Sequence, residues 1–334
     1  MTGLQMRREN LESSQRTIWY YPEAPTSSDP EVQRQYGYVE LLYCHMFIED
    51  IYTQIFPIGG RSRNEAFKVR LSPASESVEK LVAPALTSRD RGWRAALPSA
   101  VADFFRECSE TLVSFGETVY EIVYLSDPGN HEIVAFEFQY VRPLTVKRRH
   151  GQLVQIVPQE VATRRHVSPF IALPIDRVLF IRLPRTLQRC IERTLETLAV
   201  LSQKLMPDFA VRDFPAAAKK YHYESGKHFH SQKLALAEAG KAIGWNARGL
   251  FQEETLEFYS LRRQLLFEEF KIRFRNSMLE SLNYGLKLAA KEMGFSAEIV
   301  IEGLPTLADV EEAMSNLESG ATPFAEILKP FLVY

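Results

Sequence analysis

The residues best suited to metal chemistry are His222, His228 and His230, gathered in one stretch with Tyr221, Tyr223 and Phe229. On a strand, residues two apart share a face, so His228 and His230 have a spacing that could hold a metal. No third ligand is evident beside them, and the plain reading is a solvated loop rich in His and Tyr. Glu65 and Lys68 set a carboxylate near a lysine, and Asp208 and Asp213 supply further acids for a divergent metal-dependent DNA nuclease. Nothing else of a nuclease surrounds them. The sequence has no phosphate-cradling G-x-x-x-x-G-K-[ST], no G-x-G-x-x-G, no G-x-S-x-G elbow and no H-E-x-x-H.

Phosphate contact has better material. Arg142 precedes the basic run Lys147, Arg148, Arg149 and His150, and Arg164, Arg165 and His166 form a second run. Arg185, Arg189 and Arg193 lie four apart, which lines them along one helix face. Lys219, Lys220, Lys227 and Lys233 follow. Patches of this kind touch phosphates without reading bases. The competing reading is a solvated face, because Glu192 and Glu196 sit beside the arginine stripe and can pair with it.

The 334 residues carry 40 basic and 42 acidic side chains, a formal charge of -2. The chain is therefore no bulk polycation, and any contact with nucleic acid falls to local patches. Hydrophobic residues at 46% and charged residues at 25% exclude wholesale disorder and a fibrous chain. Cys44, Cys108 and Cys190 are too sparse for a disulfide framework, and no two have C-x-x-C spacing. The N-terminus lacks a secretory pattern, and no apolar run approaches about 18 residues. The expectation is a soluble protein made in a reducing cytoplasm, with no membrane span, cofactor or metal.

The elements that must position these groups follow from periodicity and punctuation. Residues up to Ser28 are polar, with Trp19, Tyr20 and Tyr21 before Pro22. They read either as an arm that docks on a neighbour or as a tail on its own domain. A helix is predicted from Asp29 and Pro30 to about Phe56, stopped by Pro57, Gly59 and Gly60. An extended piece over 67–71, a short helix over 75–81 and a helix from Pro98 to Gly116 come next. Residues 117–183 read as one meander of antiparallel strands at 117–125, 132–138, 140–147, 152–157 and 177–183. Asp127 to Asn130 and His150 with Gly151 supply turns. A helix over 186–206 precedes an irregular stretch over 208–230 and a short helix over 231–242.

Residues 253–293 contain no proline and read as the longest helix, with a reach of roughly 60 Å. Leu266, Phe270, Phe274, Met278, Leu282 and Leu286 recur every four residues along it. Such a stripe drifts around the axis, so the helix must be bent, kinked at Gly285 or packed against several neighbours. A strand over 297–301, a helix over 306–317 and a last turn to Leu328 close the chain. The fold class is α+β: long helices with a small antiparallel β meander.

The order of elements is more informative than any motif. A helix ending at Phe115 and Gly116 leads into the strand Glu117–Tyr124, then a D-P-G turn, then Glu132–Phe138. Val141–Lys147 contains a proline phrase, and Leu173–Arg182 ends in an arginine-flanked apolar run. The close runs from Ile301 through Val310 to the phrase Glu318–Leu328. This pattern, over roughly residues 30–330, resembles the portal (connector) proteins of tailed bacteriophages. Glu117 stands where that family usually carries asparagine, and the chain is short for the family, which implies a reduced crown or clip.

The resemblance implies an elongated, portal-like subunit without an active site of its own. It divides the chain into an N-terminal arm (1–28), a helical wing part (29–116) and a β wing part (117–184). A stem helix and clip-like region (185–252) and a long helix with a C-terminal wing or crown part (253–334) complete it. The clip-like region takes in His222, His228 and His230. Arg185, Arg189, Arg193, Lys219 and Lys220 become candidate DNA-channel or inter-subunit residues. The implied assembly is a ring, usually of twelve copies, at one capsid vertex of a virion assembled in the host cytoplasm. Double-stranded DNA passes through it, and the terminase large subunit, head–tail adaptor and capsid proteins dock on it. The other readings are the nuclease above and a helical scaffold that binds no DNA.

Overall fold

The computed structural model describes residues 12–13, 41–55, 67–87, 96–127, 129, 131–203, 225–251, 256–320 and 322–331. In chain order the elements are β1 (Glu12–Ser13), α1 (Leu42–Gln54), β2 (Lys68–Ser72), α2 (Glu76–Ala85), α3 (Leu97–Phe115), β3 (Glu117–Ser126) and β4 (Ile133–Val141). Then come β5 (Val146–Arg149), β6 (Gln152–Ile156), α4 (Gln159–Arg165), β7 (Phe170–Leu173), β8 (Val178–Arg182), α5 (Arg185–Gln203) and α6 (Ser225–Ala239). The series ends with α7 (Glu257–Met293), β9 (Glu298–Glu302), α8 (Leu307–Ser319) and α9 (Phe324–Ile327). Helices thus combine with small antiparallel sheets, an α+β chain. Among the described residues no helix is long and apolar enough to cross a membrane.

Local chemistry sets many of these boundaries. Pro98 sits in the first turn of α3, where a missing N–H costs nothing. Gly116 ends that helix at φ 75°, its N–H donating to the Leu112 carbonyl at 2.8 Å. Thr306 and Asp309 cap α8 reciprocally: the Thr306 hydroxyl accepts from the Asp309 N–H, and the Asp309 carboxylate accepts from the Thr306 N–H at 2.6 Å. The Thr306 N–H and hydroxyl both donate to the Asp309 carboxylate, which holds that carboxyl below the usual range. His150 and Gly151, at φ 49° and 79°, make the tight turn between β5 and β6.

The single meander expected over 117–183 is instead two sheets and a helix. Pro143 has no N–H to extend a ladder, so the expected strand over 140–147 breaks at a 3-10 turn, Pro143–Thr145. Tyr140 and Val141 complete β4, and Val146 begins a different sheet. That second sheet has the order β5-β6-β7, and α4 lies between its last two strands in sequence. Residues 225–230, expected to be irregular, are the start of α6. The start of the helix expected at Asp29, the chain from 204 to 224 and the first residues from Glu253 lie outside the described residues.

The chain forms two compact units, neither of them a continuous stretch. The first takes Met1–Val32, Tyr52–Leu183 and Phe274–Leu304. Its centre is β3, paired antiparallel with β4 on one edge and with β8 and the two residues of β1 on the other. Tyr120, Ile122, Phe136 and Phe138 share one face of this sheet, where Phe104 of α3 lies 4.9 Å from the Tyr120 ring. The opposite face carries Val119 and Val141, clustered with Leu173 and Val178. β2 and β9 pair across the length of the chain, Lys68 opposite Glu302 and Ser72 opposite Glu298. Asn283 of α7 grips the Ile299 backbone at both its N–H and its carbonyl.

The second unit takes Gln33–Ile51, Pro184–Arg273 and Pro305–Tyr334. Leu261, Leu265 and Ile272 of α7 pack there with Val310, Ala313 and Leu317 of α8 and with Ile327 and Phe331. So α7 runs 37 residues and serves both cores. Phe270, Phe274, Met278, Leu282 and Leu286 are all buried, and packing against several neighbours accounts for the drift of their stripe.

Gly285 marks a close approach within the first unit. A Cβ at that position would lie 2.7 Å from Leu179 Cδ2 and 3.0 Å from Phe138 Cε1. A Gly285→Leu variant should therefore lose about 1–3 kcal/mol through overpacking, despite its better helix propensity. Urea unfolding should show a lower midpoint; a midpoint at or above that of the parent contradicts the close packing.

Candidate functional site

The arginine stripe lies on α5, whose inner face anchors it within the second unit. Ile191, Thr194, Leu195 and Leu198 are buried. The Thr194 hydroxyl donates to the Ala239 carbonyl at 3.2 Å, tying α5 to the end of α6. The Ser202 hydroxyl accepts from the Tyr43 N–H at 3.1 Å, and the Cys44 thiol donates to the Leu195 carbonyl at 3.5 Å. These contacts fix α5 against α1. The outer face is left to Arg185, Arg189 and Arg193, all exposed.

Their expected neutralisation by Glu192 is not what forms. Glu192 accepts a hydrogen bond from Gln188, one turn back, at 2.9 Å. Among the described residues no hydrogen bond or ion pair engages the three guanidiniums. Arg185 also opens the helix, at the positive end of its dipole, and no acid occupies that first turn. The face is thus a positive strip on a rigid support, suited to anion contact without base readout.

The other sequence-predicted groups fall elsewhere. Lys219, Lys220 and His222 lie outside the described residues, as do Glu65, Asp208 and Asp213. His228 and His230 belong to α6, not to a strand. Positions two apart on a helix are about 200° apart around its axis, so the shared-face geometry for a metal is lost. Among the described residues no group of three or more His, Cys, Asp or Glu side chains is placed to hold a metal. Lys147, Arg148 and Arg149 are exposed on β5, and Arg164, Arg165 and His166 at the end of α4.

A second polar centre escaped sequence reasoning. Asp50 of α1 is buried at 4% exposure and accepts from the Trp245 indole at 2.8 Å and from Arg248 Nε at 2.7 Å. Arg248 also pairs with Glu49 at 2.7 Å, which holds the Glu49 carboxyl low. Arg263 of α7 donates twice to the Trp245 carbonyl, and burial brings its guanidinium down to about 10. Gly240 and Gly244 permit the close approach: a Cβ at Gly244 would fall 2.2 Å from the Arg263 carbonyl oxygen. This network locks α1 and the loop after α6 onto α7, so it supports the α5 platform. Its members are separated by 195 and 198 residues, which no spacing rule detects.

No protein-family model matches the chain. No curated protein matches it in sequence either.

Two outcomes follow. Asp50→Ala should cost about 2–3 kcal/mol, since a buried indole N–H loses its acceptor while the half-exposed Arg248 recovers water. Chemical denaturation measures this, and a change within about 0.5 kcal/mol would mark the network as peripheral. Burial pushes the Cys44 thiol up to about 12 and the Cys108 thiol well above its ordinary value. Iodoacetamide should therefore label half-exposed Cys190 in the native protein and reach Cys44 and Cys108 only after unfolding, as read by peptide mass spectrometry. Native labelling of Cys108 contradicts the packing of α3 on β3.

Proposed function

We propose that this chain is a portal-type subunit: copies close into a ring at a capsid vertex, and double-stranded DNA passes through the central channel. The observation that carries the reading is the order of elements around α7. A helix ending in glycine is followed by the β3–β4 antiparallel pair and β8. Then come the arginine-bearing α5 and an unbroken 37-residue helix that contributes to both compact units. At 1.5 Å per residue α7 spans roughly 55 Å. That length suits a stave in the wall of a barrel. On this reading α5 with the start of α7 is the stem, residues 207–251 are clip-like, and the terminase large subunit and head–tail adaptor proteins dock on the assembled ring.

The charge pattern supports the same use. A threaded polymer must slide, so the wall needs weak, sequence-blind phosphate contacts and no deep grip. Near-balanced charge with one exposed arginine strip provides this. Ring symmetry multiplies three arginines by the number of copies, so a modest patch on each chain becomes a strong band in the assembly.

Negative-stain images of the purified full chain should show rings with a central hole. The triple variant R185E/R189E/R193E should keep those rings and lose DNA packaging, because its side chains have no described partner within the chain. Loss of the rings in that variant would reassign the stripe to contacts between copies. Uniform small particles without a hole, from the parent chain, would overturn the portal reading.

A further inference from the structure

Two surface patches of this chain are complementary to each other. The first is the outward face of the β5-β6-β7 sheet. The register places Lys147 beside Val154 and Ala172, Arg149 beside Gln152, and Ile156 beside Phe170, all on one face. The other face is the packed one, where Leu153 and Leu173 join Val119 and Val178. Phe170 is 46% exposed and Ile156 38%, high values for neighbouring large apolar side chains. The Arg149 guanidinium lies 4.4 Å from the Phe170 ring centroid and holds it in place.

The second patch is a groove between α7 and α8. Leu307, Val310 and Met314 form its apolar floor, and Glu269, Glu311 and Glu318 supply acids around it. Leu307, Glu311, Met314 and Glu318 recur at three and four residues, one face of α8. The volume is about 260 Å³. That lies below the roughly 300 Å³ at which small-molecule sites begin, and it suits an inserted side chain. Among the described residues, Lys147, Arg149, Glu311 and Glu318 form no ion pair.

We infer that the sheet face of one copy docks in the α7–α8 groove of the next, with Phe170 as the apolar anchor and Lys147 and Arg149 against Glu311 and Glu318. This rests on the ring reading and adds the surfaces that make one of its lateral contacts. The occupant is a second copy because apolar anchor meets apolar floor and cation meets anion, both on the same sequence. An isologous contact would set each cationic patch against itself. The complementary pair is heterologous, the head-to-tail class that closes into rings. Nucleic acid fits the sheet face less well, since Arg149 occupies one face of the Phe170 ring, where a base would stack, and leaves the ring edge to insert in a groove.

The test uses full-length chains with exposed charges reversed: K147E/R149E on the sheet and E311K/E318K in the groove. Each variant alone should stay folded by circular dichroism and lose the ring by light scattering. Mixing the two should restore rings of alternating copies, because each reversed patch then meets its opposite. Parent rings that persist undiminished in both variants would overturn this contact and leave the portal reading standing. Failure of the mixture to reassemble folded variants would overturn it too. Rings that persist in K147E/R149E while binding of a labelled oligonucleotide is lost would give the face to nucleic acid instead. A parent chain that forms no ring at all would remove the portal reading itself.

Discussion

One helix has to satisfy two hydrophobic cores, and that constraint organises the chain. α7 presents Leu261, Leu265 and Ile272 to the helical cluster with α8. Its later turns bury Met278, Leu282 and Leu286 and bring Gly285 against Leu179 and Phe138. A helix serving a single core needs one apolar stripe and a polar back. This one needs two stripes in succession, so its apolar pattern wanders and its polar residues must find partners. Lys271, nearly buried, pairs with Glu268 at 2.7 Å beside the Phe267 ring, and Asn283 spends both its polar atoms on one backbone position of β9.

The polar groups divide by burial. Two enclosed groups are held by partners far away in sequence or structure: Asp50 between an indole and a guanidinium, Arg263 on a backbone carbonyl. Leaving either unpaired would cost more than its hydrogen bond contributes. Among the described residues, the exposed Arg185, Arg189 and Arg193 of α5, Lys147 and Arg149 of β5, and Glu311 and Glu318 of α8 form no ion pair. Enclosed pairs specify the fold of the chain. On the proposed ring reading the open stripes are contact surfaces, and their distribution, cationic on two elements and anionic on a third, is what that proposal draws on.

Much of this was legible in the sequence where the cause is local. Pro98, Gly116 and Gly294 mark helix ends by their backbone chemistry and Thr306 by its hydroxyl, and each sits where the structure starts or stops a helix. The face shared by Arg185, Arg189 and Arg193 follows from spacing alone. What escaped has non-local or short causes. The pairing of 68–72 with 298–302 and the Asp50–Trp245 bond join residues about two hundred positions apart. α4 and β7 are seven and four residues long, too short for a period to show. The first turn of α6 was hidden by histidines and aromatics that read as loop. Glu192 pairs with Gln188, four residues back, although Arg189, three residues back, was also within helical reach, a choice that sequence does not encode.

The central claim is that this chain exists as one member of a closed ring. The most direct measurement is the absolute mass of the purified full-length protein in solution, by light scattering across a dilution series. The account predicts a discrete species many times the 38.3 kDa chain mass, unchanged on moderate dilution. A single species at the mass of one chain throughout the series would contradict it.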